Sequence, residues 1–185
     1  MARPKNADPE ATRARILAAA EQIVKDEGWS ALAARKIAAA TNLSATTVSA
    51  AFRGMAKIEH ELVKRAFSPL IDAPALFAKG QSFSIAELAS APLLADPTLA
   101  RLVIQVSAQA GGRIGAAARL SRLFEKCWTI THDHLSRWEA GPPLVRDAAL
   151  SRDDVADRIL DRYFAAALLV ARDPQIGAAS LHARL

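Results

Sequence analysis

The chain of 185 residues contains a single cysteine, Cys127. One thiol excludes an internal disulfide framework and fits a reducing compartment, with the residue acting as a small hydrophobe. Long apolar runs are missing too: the longest, Phe164 to Ala171, is far short of the ~20 residues a membrane span needs. The opening MARPKNADPE holds no apolar core of a secretory signal. These absences predict a cytoplasmic protein with no membrane partner. No strand-period alternation of useful length occurs, and no internal repeat, so the expected fold class is all-α.

Catalytic and metal-binding patterns are equally scarce. His132 and His134 stand at i and i+2, on nearly opposite sides of a helix, so with Asp133 they cannot chelate one metal. Gly111-Gly112-x-x-Gly115 has no strand before it and reads as a helix joint rather than a dinucleotide fingerprint. Ser136 lies four residues from His132 with no third member in view. The sequence therefore assigns no catalytic residue, no metal and no cofactor.

What is present is a globular balance, with 51% hydrophobic and 23% charged residues. The net charge is +5, and its placement carries more information than its size. Residues 1–65 hold 11 Lys/Arg against 7 Asp/Glu, while residues 66–185 hold 13 against 12. The excess at the N-terminal end suggests an anionic partner there and another task for the remainder.

Helix signals divide the first third clearly. Asp8 caps a first helix with Pro9 at its first position, and Ile16, Ala20, Ile23 and Val24 form one apolar face. Gly28 ends it, and Trp29 follows as a core plug. A second helix is expected over residues 33–40, burying Ile37 and Ala38. A third runs from a Ser44 cap to Phe52 with Gly54 as its stop, and a fourth covers residues 58–67. Ser68-Pro69 and Ala73-Pro74 then place a domain boundary, because residues before proline avoid helical geometry. The division is therefore 1–67 and 68–185. Beyond it, helices are expected over residues 84–91, 97–110, 113–138 and 152–172.

The stretch IAAATNLSATTVSAAF, Ile37 to Phe52, breaks an alanine-rich helix with poor helix formers. Asn42 tolerates the left-handed conformation that a tight turn requires, Leu43 plugs the corner, and Val48 and Ala51 pack the next helix back. The other face of that helix presents Thr46, Ser49, Ala50 and Arg53 at i, i+3, i+4 and i+7. A slim face of hydroxyls fits a DNA major groove. A solvated helix in a plain bundle is the alternative.

TRARILAAAEQIVKDEGW (Thr12 to Trp29) followed by KIAAATNLSATTVSAAF (Lys36 to Phe52) resembles the N-terminal domain of TetR-type (tetracycline-repressor-like) transcriptional regulators. The resemblance rests on Thr12, Arg15-Ile16-Leu17, Ala19-Ala20, Gly28-Trp29, Ile37-Ala38, Leu43-Ser44, Val48 and Phe52, and covers about a third of the chain. It implies an N-terminal three-helix helix-turn-helix domain and a C-terminal helical bundle for effector binding and dimerisation. The implied function is a ligand-responsive regulator, a repressor released from a palindromic operator by a small apolar or amphipathic molecule. Its partners would be double-stranded DNA, a small-molecule effector and a second copy. The DNA-contacting positions would be Arg35, Lys36, Ser44, Ala45, Thr46, Thr47, Ser49, Ala50, Arg53 and Lys57.

Departures from the family pattern matter. Ala33 replaces a Thr or Ser, Asn42 replaces Gly, and Ser49-Ala50-Ala51 stands where an aromatic run with a phosphate-contacting Tyr is usual. Met55 occupies the slot of a Lys, leaving Lys57 to substitute. Arg35, Lys36, Arg53 and Lys57 would have to compensate, with Arg3 and Lys5 either a minor-groove arm or a solvated tail. A helical ligand-binding or interaction protein that keeps the fold with weak DNA binding is the second reading.

In the C-terminal part, residues 113–138 carry one stripe through Phe124, Trp128 and Trp138 and a second of Leu120, Leu123, Cys127 and Ile130. The last helix repeats the theme with Val155, Ile159, Tyr163, Ala166 and Val170. Surplus apolar surface on two helices fits a four-helix interface between two copies or a larger intramolecular core; the resemblance implies the former. An effector cavity would be lined by Phe77, Phe83, Gln105, Val106, Phe124, Trp128, His132 and Trp138, each of which also fits ordinary core packing.

Overall fold

A computed structural model of the chain describes residues 8–73, 84–110 and 152–185. Helix α1 (Pro9–Glu27) begins where Asp8 accepts the Glu10 N–H at 2.9 Å, satisfying one of the donors that a helix start leaves unpaired. It ends at Gly28, whose φ of 89° a side chain would oppose. A 3-10 turn (Trp29–Ala31) leads into α2 (Ala34–Thr41), α3 (Ala45–Phe52) and α4 (Met55–Asp72). Further along come α5 (Ile85–Ala95), α6 (Thr98–Ala110), α7 (Arg152–Arg172) and α8 (Ala178–His182). No strand occurs among the described residues, and no helix there is long and apolar enough to cross a membrane. The chain is all-α.

Contacts divide it after Arg65 into two units. The first is built on Ile16, Ala20, Ile23 and Val24 of α1, Ile37 and Ala38 of α2, Val48 and Phe52 of α3, and Ile58 and Leu62 of α4, all buried. The α1 face is the one its periodicity predicts. Trp29, expected as a core plug, is only half-buried.

Two prolines overturn expected helix ends. Helix α4 continues through Pro69 to Asp72 and α5 through Pro92 to Ala95. A proline in a helix interior costs about 3 kcal/mol through its lost N–H and ring clash. Against this, Phe67 and Leu70 are 2% and 4% exposed, and burial of each apolar side chain contributes about 1.5–3 kcal/mol. Phe67 also meets Phe164 edge-on with ring centroids 5.9 Å apart. Near the proline, the Tyr163 hydroxyl donates to the Ala66 carbonyl at 2.6 Å. Packing therefore outweighs the local preference.

The second unit buries Leu88, Ala89 and Leu93 of α5 and Leu102, Val103 and Val106 of α6, and both helices pack on α7. Here the dimer expectation needs correction. Ile159, Tyr163, Ala166 and Val170 are 0–1% exposed within one protomer, so this stripe is core rather than a surface for a second copy. Helical spacing marks a buried stripe but does not say what buries it. Val155 lies in the first turn of α7. Leu120, Leu123, Cys127 and Ile130 lie outside the described residues. So do Phe77, Phe83, Phe124, Trp128, His132 and Trp138 of the expected cavity, the glycine joint at 111–112 and the helix over 113–138. Of the remaining cavity residues, Val106 is buried and Gln105 half-buried. Helix α8 was not expected; its Leu181 is fully buried, and His182 Nε2 lies 2.8 Å from the buried Ser90 hydroxyl of α5.

Candidate nucleic-acid interface

The corner between α2 and α3 is built from backbone chemistry. Asn42 takes φ 52° and ψ 41°, the left-handed region that ends a helix. The Leu43 N–H donates to the Ala38 carbonyl at 3.0 Å and the Asn42 N–H to Ala39 at 3.4 Å, the paired bonds of a Schellman motif. Thr41 Oγ1 donates to the Ile37 carbonyl at 2.7 Å, and Ala38, only 7% exposed, occupies the buried side of this corner. The chain then reverses into α3. Ser44, extended at φ −80° and ψ 149°, accepts the Thr47 N–H at 3.0 Å and starts the new helix.

Helix α3 has a buried and an open side. Val48 is fully buried and Phe52 nearly so, while Thr46, Thr47, Ala50 and Arg53 are exposed and Ala45 and Ser49 are half-buried. Thr46, Ser49, Ala50 and Arg53 thus lie on the face the sequence expects. The Ser44 and Thr47 hydroxyls are 2.7 Å apart and bond each other, which leaves Thr46 with the less committed hydroxyl. The helix ends as α2 does. Arg53 adopts φ 55°, Gly54 N–H donates to Ser49 at 2.9 Å, and Arg53 N–H to Ala50 at 3.4 Å. The stop comes one residue before the expected glycine, because Gly54 serves as the second amide of the motif at φ 117°.

Charge around the corner is partly committed. Lys36 is ion-paired with Glu27, and Lys57 with Glu61 at 3.0 Å. The Lys57 hydrogen bond holds the Glu61 carboxyl below its ordinary range, against the opposing effect of partial burial. Arg35 and Arg53 are exposed and have no carboxylate partner among the described residues. Deeper in the unit, Glu21 is 2.6 Å from Lys25 and 2.7 Å from Arg65. Burial pushes the Glu21 carboxyl up, but hydrogen bonds and charge from Lys25 and Arg65 together leave it lowered.

Beyond the left-handed turn at Asn42, α3 thus carries a slim hydroxyl face, with Arg53 at its end and Arg35 exposed in the first turn of α2. A solved structure from Rhodococcus sp., assigned to the TetR family of transcriptional regulators, matches the chain with a TM-score of 0.61. It covers 94% of each chain at 16% identity. The chain has the TetR-type fold. No family model matches it, and no curated protein does.

Within the TetR-type fold, Arg13 is the residue that sequence reading passes over. Its Nε donates to the Ala51 carbonyl at 3.0 Å, 38 residues away, and no local pattern announces such a contact. Arg13, Arg53 and Lys57 line one open groove with Leu17, Phe52 and Ala56. Among the described residues, no group of three or more His, Cys, Asp or Glu could hold a metal.

Proposed function

We propose that the chain is a ligand-responsive DNA-binding transcriptional regulator, a homodimeric repressor released from a palindromic operator by a small apolar or amphipathic molecule. One observation carries this reading: beyond the Asn42 turn, α3 turns Thr46, Ala50 and Arg53 outward while Val48 and Phe52 anchor it. In the groove, Thr46 and Ser49 would meet base edges, with Ala45 and Ala50 allowing close approach. Arg35 and Arg53 would reach phosphates, and Ser44, Thr47, Lys36 and Lys57 would flank them. Residues 1–67 would form the DNA-binding domain and 68–185 the effector and dimerisation domain. A second copy would meet α7 on the side opposite its buried stripe, where Leu168 is 61% exposed. An effector favouring a conformation with displaced reading helices would lower operator affinity.

A second reading is favoured by the paired Lys36 and Lys57 and by the aromatic-free Ser49-Ala50-Ala51. In it, a helical ligand-binding protein keeps the fold and binds DNA weakly. Selection from random duplexes, followed by affinity measured against salt, separates the two. A regulator enriches a palindrome, and Arg35→Ala or Thr46→Ala weakens that site by about 1–3 kcal/mol without unfolding the chain. Sequence-blind binding supports the second reading instead.

A further inference from the structure

We propose that Arg13 of α1 is a positioning residue for α3, a C-terminal cap supplied by another helix that fixes the reading face. This rests on the DNA-binding function proposed above. Helix α3 is 8 residues long, and helices that short are marginal without outside support. Its last carbonyls need donors from beyond the helix. Ser49 and Ala50 receive the Gly54 and Arg53 amides, but Ala51 has passed the reach of that motif. Arg13 Nε–H fills the place at 3.0 Å, and its Nη1 is held by Glu10 of the same helix at 2.9 Å. One edge of a planar fork thus grips α3 while the other is tied to α1. A lysine ammonium, a point donor on a flexible stem, cannot reproduce that pairing. A cation at the C-terminal end of a helix also favours its dipole. Since Thr46 and Ser49 sit on this short rod, its rotation about its own axis moves every proposed base contact. Arg13 acts through α3 and touches no base.

The test uses the full chain as parent, Arg13→Gln and Arg13→Lys, on the selected palindrome and on an unrelated duplex across a salt series. Amide hydrogen exchange without DNA is measured alongside. Arg13→Gln is expected to weaken palindrome binding roughly tenfold, the scale of one charged hydrogen bond. Binding to the unrelated duplex and the salt slope should stay unchanged. The Arg53 and Gly54 amides should exchange several-fold faster while the Leu43 amide, at the other corner, does not change. Arg13→Lys should not restore the parent. Equal loss on both duplexes with a shallower slope would make Arg13 a phosphate contact and overturn the proposal. So would palindrome binding equal to the parent's. A parent that enriches no sequence refutes the DNA-binding function before any variant is made, and unchanged exchange in Arg13→Gln then refutes the cap independently.

Discussion

Tyr163→Phe isolates the hydroxyl that accompanies a proline inside a helix. Tyr163 is fully buried, and its Oη donates to the Ala66 carbonyl at 2.6 Å. Pro69, three residues on, supplies no N–H to the Arg65 carbonyl, so this turn of α4 is already one donor short. The Ala66 carbonyl keeps its place in the ladder of α4, so removing the hydroxyl costs one net hydrogen bond, about 0.5–1.5 kcal/mol. For a chain of this length each kcal/mol moves the thermal midpoint by about 2–4 °C, so a fall of roughly 3 °C is expected. Circular dichroism melts and urea titration measure it, with an unchanged urea slope showing that only stability moved.

Two comparisons sharpen the result. Tyr163→Leu also loses the ring contacts to Phe67 and Phe164, at centroid distances of 6.0 and 6.4 Å, and should cost roughly 1–3 kcal/mol more. Pro69→Ala supplies the missing N–H to the Arg65 carbonyl and not to Ala66, so Tyr163→Phe should cost the same in that background, within about 0.5 kcal/mol. A Tyr163→Phe protein within about 0.5 kcal/mol of the parent, in the range of an ordinary surface substitution, would mean that the hydroxyl adds nothing net to the fold. Apolar packing alone would then hold α4 through its proline.

Charge sets two further outcomes. Glu21 sits below its ordinary value of 4.5. Its contribution to stability is therefore fully present above that value and disappears as the pH falls through the lower folded value. Glu21→Gln should flatten acid unfolding in that window, and an unaltered acid limb would remove the Lys25–Glu21–Arg65 cluster from the account. Glu61→Gln releases Lys57 from its ion pair. It should tighten binding to any duplex and steepen the salt slope by about one phosphate per copy; no change would show that Lys57 does not reach DNA.

Local chemistry was legible in the sequence, and long-range commitments were not. Asn42, Ser44 and Asp8 have side chains suited to a turn or a cap wherever they occur, and the structure uses all three so. Pro69 and Pro92 misled because the local rule could not weigh the apolar burial waiting on the far side of each ring. The α7 stripe was visible, yet Ile159 and Val170 read alike whether α5 or a second copy covers them. Lys57 and Glu61, four apart, could have been paired by spacing alone. Lys36 with Glu27 and Arg13 with Ala51 could not, because only the fold brings them together.

Those commitments bear on how DNA would be held. Of the 11 Lys and Arg before residue 66, Arg13, Lys25, Lys36, Lys57 and Arg65 are ion-paired with Glu10, Glu21, Glu27 and Glu61. Near the corner this leaves Arg35 and Arg53. Two copies placing both arginines on phosphates would neutralise about four charges and give a salt slope of about −3.6. Recruiting Lys36 and Lys57 as well would double the count and bring the slope to about −7. The shallower value is expected, because each lysine would first have to leave a carboxylate that already neutralises it. A slope near −7 would show that DNA breaks both ion pairs, and the surface described for the unbound chain would then not be the surface that binds. A slope near −3.6 leaves about half as much of the affinity to counterion release as a slope near −7, and since that term is blind to sequence, discrimination would rest on the hydroxyl face of α3 and on whatever holds that helix at its angle.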